Sequence, residues 1–273
     1  MPHSQLSDVA VFYAEKGQGE PLVFLNGLSG DHLYWTGQLR AFGKRYRCLA
    51  LDNRDAGQTL SPAQPYTTSD LAGDVAAVLE RLQLPPAHIV GLSMGGMIAQ
   101  ELALAAPARV KTLALVNTLG RADDWFRGTL RAFEMIRRRV EDSGAFFDAI
   151  LPWWVSWRFF EQSERVTWLR WLLRQNPHQQ PLDGFLRQLE ATSRHDALNR
   201  VAQIRCPVLV LAGEEDTVCP PRYGMQLKER LPQAQLVVVP GVGHAMPFED
   251  PARFTALLAG FLADHGATDR QCA

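Results

Sequence analysis

A serine stands between two glycines in the segment Gly91–Gly95 (GLSMG), a spacing that suits nucleophilic chemistry. The apolar run HIVGL leads into Ser93, and the helix-like segment MIAQELALAA leads out of it. At such a tight strand-to-helix turn the serine is held at the carboxyl end of a sheet, and a Cβ in place of either glycine would collide with neighbouring elements. The pattern predicts Ser93 as a nucleophile; an ordinary helix N-cap serine is the alternative interpretation.

A serine hydroxyl is a weak nucleophile and needs a base, for which histidine has the suitable pKa. Among the seven histidines, His244 follows the apolar run QLVVVP within the string GVGH. A loop after that run emerges at the same end of a parallel sheet as Ser93. We therefore predict His244 as the base, with His32, which follows Gly30, as a lesser candidate.

A carboxylate must orient the base and stabilise its imidazolium form. Three acidic residues, Glu214, Glu215 and Asp216, follow the apolar run PVLVLAG and are equally placed by sequence alone. Asn117, at the end of the run TLALVN, stands at another suitable position but cannot carry the charge. An acid from the Glu214–Asp216 group gives the chain order serine, acid, histidine.

Acyl transfer also needs preorganised N–H donors for the oxyanion that develops. One predicted donor is the backbone N–H of Met94, which follows the nucleophile at the start of a helix. The other is the backbone N–H of Leu28, in the glycine-rich loop after the run PLVFLN. Asn26 is expected to brace that loop with its side-chain amide.

The elements that must position these residues alternate between short apolar runs and helical patterns. The predicted strands are Val9–Glu15, Pro21–Asn26, Arg47–Asp52, His88–Leu92, Thr112–Asn117, Pro207–Gly213 and Gln235–Pro240. The predicted helices are Asp70–Leu82, Met94–Ala106, Arg222–Leu231 and Pro251–His265. Continuous apolar runs are typical of parallel strands buried on both faces. The alternation predicts an α/β domain over 1–118 and 200–273, with a doubly wound, mostly parallel sheet of about eight strands.

Residues 119–199 break this alternation, and we call them the helical insertion. The segment contains no convincing strand, and every tryptophan of the chain except Trp35 lies in it. So many large aromatic side chains exceed what a short helical segment can bury internally, so part of them should line a pocket. The predicted pocket residues are Asn26, Phe126, Trp153, Trp154 and Met246.

The composition of the chain limits the kinds of molecule that it is expected to bind. The chain has 273 residues, 47% apolar and 21% charged, with a formal net charge of −1. This balance gives no global attraction to nucleic acid or to an acidic membrane surface. No metal-ligand spacing, nucleotide-binding motif, signal peptide or long apolar run is present. We expect a cytoplasmic protein, monomeric or homodimeric, that binds a small molecule and uses neither metal nor cofactor.

Five strings together resemble the α/β-hydrolase superfamily: LNGLSG, DNRDAGQT, GLSMGG, VLVLAGEEDTVCP and PGVGHAMPFEDP. The nearest likeness is to the esterase and 3-oxoadipate enol-lactonase-like branch with a helical cap. The aspartate of the family's G-x-x-D-x-x-x-P string is the acid, which favours Asp216 over Glu214 and Glu215. Two positions depart from the family pattern, since Asn26 stands where histidine is usual and Asp55 where glycine is usual.

The resemblance implies an α/β-hydrolase fold with an all-helical cap and cleavage of a carboxylic ester or lactone through an acyl-enzyme on Ser93. Two alternatives keep the same three residues: a hydrolase of carbon–carbon bonds, or a perhydrolase. Enzymes of the carbon–carbon type often have tryptophan after the histidine, whereas Ala245 follows here. A third alternative is a ligand sensor that hydrolyses slowly.

Overall fold

A single eight-stranded sheet forms the centre of the computed structural model, which describes residues 3–6, 8–59 and 61–266. The strands are β1 (His3–Gln5), β2 (Ala10–Lys16), β3 (Glu20–Leu25), β4 (Tyr46–Leu51), β5 (Ala87–Leu92), β6 (Val110–Val116), β7 (Val208–Gly213) and β8 (Gln235–Val239). Their order across the sheet is β1-β2-β4-β3-β5-β6-β7-β8. Strand β2 pairs antiparallel with both of its neighbours, β1 and β4, and all other pairings are parallel. The predicted mostly parallel α/β architecture is confirmed.

Eleven α-helices accompany the sheet in this described part of the chain. They are α1 (Thr36–Phe42), α2 (Thr68–Arg81), α3 (Met94–Ala105), α4 (Asp124–Arg137), α5 (Ser143–Trp154), α6 (Trp157–Phe160), α7 (Ser163–Arg174), α8 (Leu182–Ser193), α9 (Pro221–Arg230), α10 (Met246–Glu249) and α11 (Pro251–His265). Each predicted strand and helix outside the insertion has an observed counterpart. The structure adds β1, α1 and α10 to the predicted elements. Helix α2 begins at Thr68, two residues before the predicted start, and its N-cap Thr67 forms a capping box with Asp70.

The sheet is covered on both faces, because the side chains of its parallel strands alternate between two apolar layers. In β3, Val23 and Leu25 join the layer that contains residues of α2 and α3. Leu22 and Phe24 point the other way, into the layer that contains residues of α1 and α11. The carboxyl ends of β3 to β8 therefore lie along one edge, and the loops that follow them can share a site.

Helices α4 to α8 come from the helical insertion, between β6 and β7. Five of its phenylalanines are buried and pack either with one another or against the core: Phe126, Phe133, Phe146, Phe159 and Phe185. Other aromatic side chains of the insertion are substantially exposed, among them Trp125, Trp157 and Trp171. The aromatic side chains of the insertion thus fall into three groups: some are buried by packing, some are exposed to solvent, and some line the cavity described below. Residues 1, 2, 7, 60 and 267–273 of the predicted core segments lie outside the described residues.

Candidate active site

Ser93 lies at the sharp turn between the end of β5 and the start of α3, with φ 55° and ψ −119°. A non-glycine residue rarely adopts this conformation, so the surrounding contacts must hold it there. The Ser93 N–H donates to the Val116 carbonyl over 2.9 Å. The Ser93 carbonyl accepts from the Gly96 N–H at 2.9 Å and from the Thr118 hydroxyl at 2.7 Å. These bonds fix the strained turn to the next strand of the sheet.

The glycines around Ser93 are required by close backbone approaches. A Cβ on Gly91 would lie 2.2 Å from the Gly95 carbonyl oxygen, and a Cβ on Gly95 would lie 2.2 Å from the Leu25 carbonyl oxygen. Both distances are far below van der Waals contact. The glycine–serine–glycine spacing in the sequence therefore reflects how tightly α3 crosses the ends of β3 and β5.

His244 and Asp216 form a buried pair, with His244 Nδ1 2.7 Å from Asp216 Oδ2. The other carboxylate oxygen, Oδ1, accepts from the N–H groups of Val218 and Cys219, each at 2.8 Å. Both residues of the pair are nearly inaccessible to solvent, His244 at 4% and Asp216 at 3% exposure. Three hydrogen bonds thus hold the Asp216 side chain with Oδ2 directed at His244 Nδ1.

The two neighbouring acids point elsewhere. Glu214 Oε2 accepts from the Gly241 N–H at 3.0 Å, and Glu215 pairs with Arg158 at 2.8 Å. Of the three acidic residues that the sequence left open, Asp216 is the one whose carboxylate contacts His244.

Two side chains that sequence reasoning did not assign hold the His244 loop. The Asn117 Nδ2 group donates to the carbonyls of Gly243 and His244 at 3.0 and 2.8 Å, while its Oδ1 accepts from the Gly213 N–H at 2.8 Å. Glu249 Oε1 accepts from the Gly243 N–H at 3.0 Å, and burial raises the pKa of this carboxyl. The backbone around the histidine is therefore fixed from both sides.

Ser93 and His244 line one cavity. Among the described residues, the Ser93 hydroxyl makes no hydrogen bond to the His244 ring. The side chain lies beside the thiol of Cys219, whose pKa burial raises well above its ordinary value. Catalytic hydrogen bonds are often long before substrate binds, and a serine hydroxyl can rotate about a single bond.

The two predicted N–H donors lie on either side of this serine. Met94 is the first residue of α3, where an amide has no intrahelical acceptor. Leu28 lies in the turn after β3 and lines the cavity, and within the described part of the chain its N–H has no hydrogen-bond acceptor. Gly27 brings this turn against Ser93, since a Cβ on it would be 3.1 Å from Ser93 Cβ. Asn26 braces the loop as expected, donating from Nδ2 to the Leu51 carbonyl at 3.0 Å.

Amide side chains from the helical insertion also hold this loop. The Ser29 N–H donates to Gln188 Oε1 at 3.0 Å, and the Ser29 hydroxyl donates to Gln180 Oε1 at 2.5 Å. Asn176 Nδ2 donates to Asp31 Oδ2 at 2.8 Å. No motif in the sequence signals these contacts, which join residues 145 to 159 positions apart.

The lesser histidine candidate is engaged differently. His32 Nδ1 lies 3.0 Å from both carboxylate oxygens of Asp52. Burial opposes the charged ring, but the hydrogen bond to Asp52 raises the pKa of His32 overall. Asp52 also accepts from the backbone N–H groups of His32 and Gln58. This pair locks the loop after β4 to the loop after β3.

The cavity has a volume of about 770 Å³ and walls from both the core and the insertion. Its apolar lining includes Leu28, Phe147, Trp154, Trp168, Leu172 and Phe248. This size and character suit a small organic molecule with a substantial apolar part.

The match to a family model settles the relationship. Residues 20–251 match the model described as the alpha/beta hydrolase fold. The chain belongs to the α/β-hydrolase family.

Relatives of this hydrolase carry different names. It is 30% identical to a protein of Azorhizobium caulinodans provisionally named as the carbamate hydrolase RutD, over 97% of this chain and 99% of that one. It is also 30% identical to 3-oxoadipate enol-lactonase 2 of Acinetobacter baylyi, over 90% of this chain and 91% of that protein. The crystal structure of the enol-lactonase from Burkholderia xenovorans LB400 superposes with a TM-score of 0.87 at 27% identity, covering 96% of this chain and 100% of that one.

The predicted pocket residues of the hydrolase are dispersed. Trp154 lines the cavity. Phe126 and Met246 are buried in apolar clusters, and Asn26 is buried among backbone groups; none of the three reaches the cavity wall. Trp153 is 38% exposed and packs edge-on against Phe133 outside the cavity. The sequence identified the aromatic segment but not which of its side chains line the cavity.

Two properties of the described residues concern cofactors and membranes. They include no group of three or more histidine, cysteine, aspartate or glutamate side chains arranged to hold a metal ion. None of the helices in this part of the hydrolase is both long and apolar enough to cross a bilayer.

Proposed function

We propose that this α/β-hydrolase cleaves a carboxylic ester or lactone through an acyl-enzyme on Ser93. The observation that carries the proposal is the His244–Asp216 hydrogen bond of 2.7 Å beside a cavity that Ser93 also lines. We further propose that residues 119–199 act as the cap over this cavity. The named enol-lactonases among its relatives support the ester or lactone class.

In the proposed first step the Ser93 hydroxyl rotates toward His244 Nε2 and attacks the substrate carbonyl. Asp216 keeps the ring proton on Nδ1, so Nε2 is free to accept the serine proton. The negative charge that develops on the carbonyl oxygen is met by the N–H groups of Leu28 and Met94. The imidazolium then donates its proton to the leaving alkoxide, which in a lactone remains attached to the acyl group.

In the second step water replaces the alcohol. His244 takes a proton from the water as it attacks the acyl-enzyme, and the tetrahedral intermediate collapses to the acid and free Ser93. The apolar cavity favours a substrate of moderate size with a largely apolar acyl or alcohol part. No step requires a metal or an organic cofactor. The cytoplasmic location expected from the sequence stays a prediction.

The test uses p-nitrophenyl esters together with a fluorophosphonate probe. Ser93→Ala should lower kcat by about 10⁴-fold or more while leaving the thermal midpoint close to that of the parent. Mass mapping should place the phosphonyl adduct on Ser93 and not on the adjacent Cys219 thiol. Ser193→Ala, at a half-buried position at the end of α8, is the matched serine control.

Retained turnover in Ser93→Ala, or an adduct confined to Cys219, would refute the serine mechanism. A vinylogous diketone assayed beside the esters tests the carbon–carbon alternative. Tight ligand binding with negligible turnover across an ester panel would instead favour the sensor alternative.

A further inference from the structure

The turn that carries Leu28 has little internal support. Within the described residues its only backbone-to-backbone hydrogen bond is the one that the Gly30 N–H donates to the Gly27 carbonyl at 3.1 Å. Ser29 has φ 65°, a left-handed conformation that is unfavourable for a residue with a side chain. The shape of the turn must therefore be imposed by contacts from outside it.

Those contacts come from two glutamines of the helical insertion. Gln188, on α8, accepts the Ser29 N–H, and Gln180, just before α8, accepts the Ser29 hydroxyl. Both side chains are buried, with Gln188 completely inaccessible and Gln180 5% exposed. A buried glutamine that is fully hydrogen-bonded has a fixed amide orientation, so it can position what it binds.

The other half of each amide is fixed to a second core loop. Gln188 Nε2 donates to the Arg54 carbonyl at 2.7 Å, and Gln180 Nε2 donates to the Asp55 carbonyl at 2.8 Å. Each glutamine thus bridges the loop after β3 to the loop after β4. The bridge leaves no rotational freedom to either amide, because donor and acceptor ends are both engaged.

We propose that Gln188 is a positioning residue for the oxyanion hole. It binds the N–H of the peptide unit that directly follows Leu28, and so fixes the direction in which the Leu28 N–H points. In this way the insertion takes part in transition-state stabilisation as well as covering the cavity. The inference rests on the proposed function, because it gives Leu28 its role there.

Gln188→Met tests the inference, since methionine keeps the length of the side chain and removes both hydrogen bonds. We expect kcat to fall about tenfold with KM unchanged within about twofold, because the lost interaction acts on the transition state. Inhibition by a trifluoromethyl ketone, which forms an oxyanion on the serine, should weaken by the same factor as kcat/KM.

Two further variants separate positioning from general loosening of the insertion. Arg187→Gln removes the ion pair between α8 and Asp55, which spans 2.8 Å and makes no contact with Ser29. It should leave kcat near the parent value. Gln188→Glu keeps an acceptor for the Ser29 N–H, and when protonated it also keeps the donor to Arg54. Its activity relative to the parent should therefore rise as pH falls from 8 to 6.

An unchanged kcat in folded Gln188→Met, or an equal loss in Arg187→Gln, would overturn the inference. If the methionine variant does not fold, the pH profile of Gln188→Glu decides, and a flat ratio counts against positioning. If Ser93→Ala abolishes activity but Gln188→Met leaves it unchanged, the proposed function stands and only this inference fails.

Discussion

Replacing Asp216 by asparagine changes one atom in a network whose geometry dictates the outcome. Oδ1 accepts two backbone N–H groups at 2.8 Å, and only an oxygen can stay there. The amide NH₂ of an asparagine must then face His244 Nδ1, 2.7 Å away. It would donate to Nδ1 and move the ring proton to Nε2, where it blocks acceptance of the serine proton.

The expected size of the effect follows from that wrong tautomer. In the Ser-His-Asp template the same change costs about 10⁴ in kcat, which corresponds to about 5.4 kcal/mol of transition-state stabilisation. The free energy of unfolding should change much less, because the asparagine Oδ1 can still accept the N–H groups of Val218 and Cys219 and the new side chain is neutral. We therefore expect a large kinetic loss at a nearly unchanged thermal midpoint.

The assay is kcat/KM for p-nitrophenyl butyrate, with thermal unfolding measured on the same samples. Glu214→Gln and Glu215→Gln are the matched controls, since both acids lie within two positions but bind Gly241 and Arg158. Each control should retain most of the parent activity. A loss below about tenfold in Asp216→Asn, or a comparable loss in either glutamine variant, would refute the reasoning.

Two further predictions concern a cavity wall and a buried ring. The Gln38 side chain lines the cavity and is 3% exposed, and its amide makes no hydrogen bond within the described residues. Gln38→Leu should therefore raise kcat/KM for an octanoate ester about fivefold, since covering an unpaired amide costs about 1 kcal/mol or more. An acetate ester measured beside it should change little, and an equal gain for both esters would contradict the idea. Burial lowers the pKa of His195 to about 3, so the unfolded chain binds a proton below about pH 6.5 that the folded protein excludes, and stability is lost as pH falls toward 3. Urea unfolding of His195→Gln should accordingly show a smaller loss of stability between pH 7 and pH 5 than the parent, and equal slopes would disprove this account.

The sequence predicts the parts of the fold in which buried positions produce a continuous apolar pattern. Strands β2 to β8 are apolar runs because both faces of the sheet are covered, and the loops after them meet at one edge. That topology alone brought Ser93, His244 and the Glu214–Asp216 group to neighbouring loops. The choice of Asp216 came from the family resemblance. In the structure its carboxylate lies 2.7 Å from His244 Nδ1, and its role as the acid stays a prediction.

Other features were not predictable from pattern. The three-residue strand β1 and the short, partly polar helix α1 carry too weak a periodicity to detect. Phe126, Trp153 and Met246 were expected at the pocket, but the side of an insertion helix that meets the cavity depends on tertiary packing. The amides of Asn117 and Gln188 act across distances in sequence that leave no local signature.

The distribution of tryptophans has a practical consequence. Six of the seven lie in the helical insertion, and Trp154 and Trp168 face the cavity. The sheet contributes none, and Trp35 is fully buried beneath it. Intrinsic tryptophan fluorescence of this protein therefore comes chiefly from the helical insertion. A ligand that displaces water from the two indoles at the cavity can be titrated by the change in their emission wavelength and intensity, without any attached label.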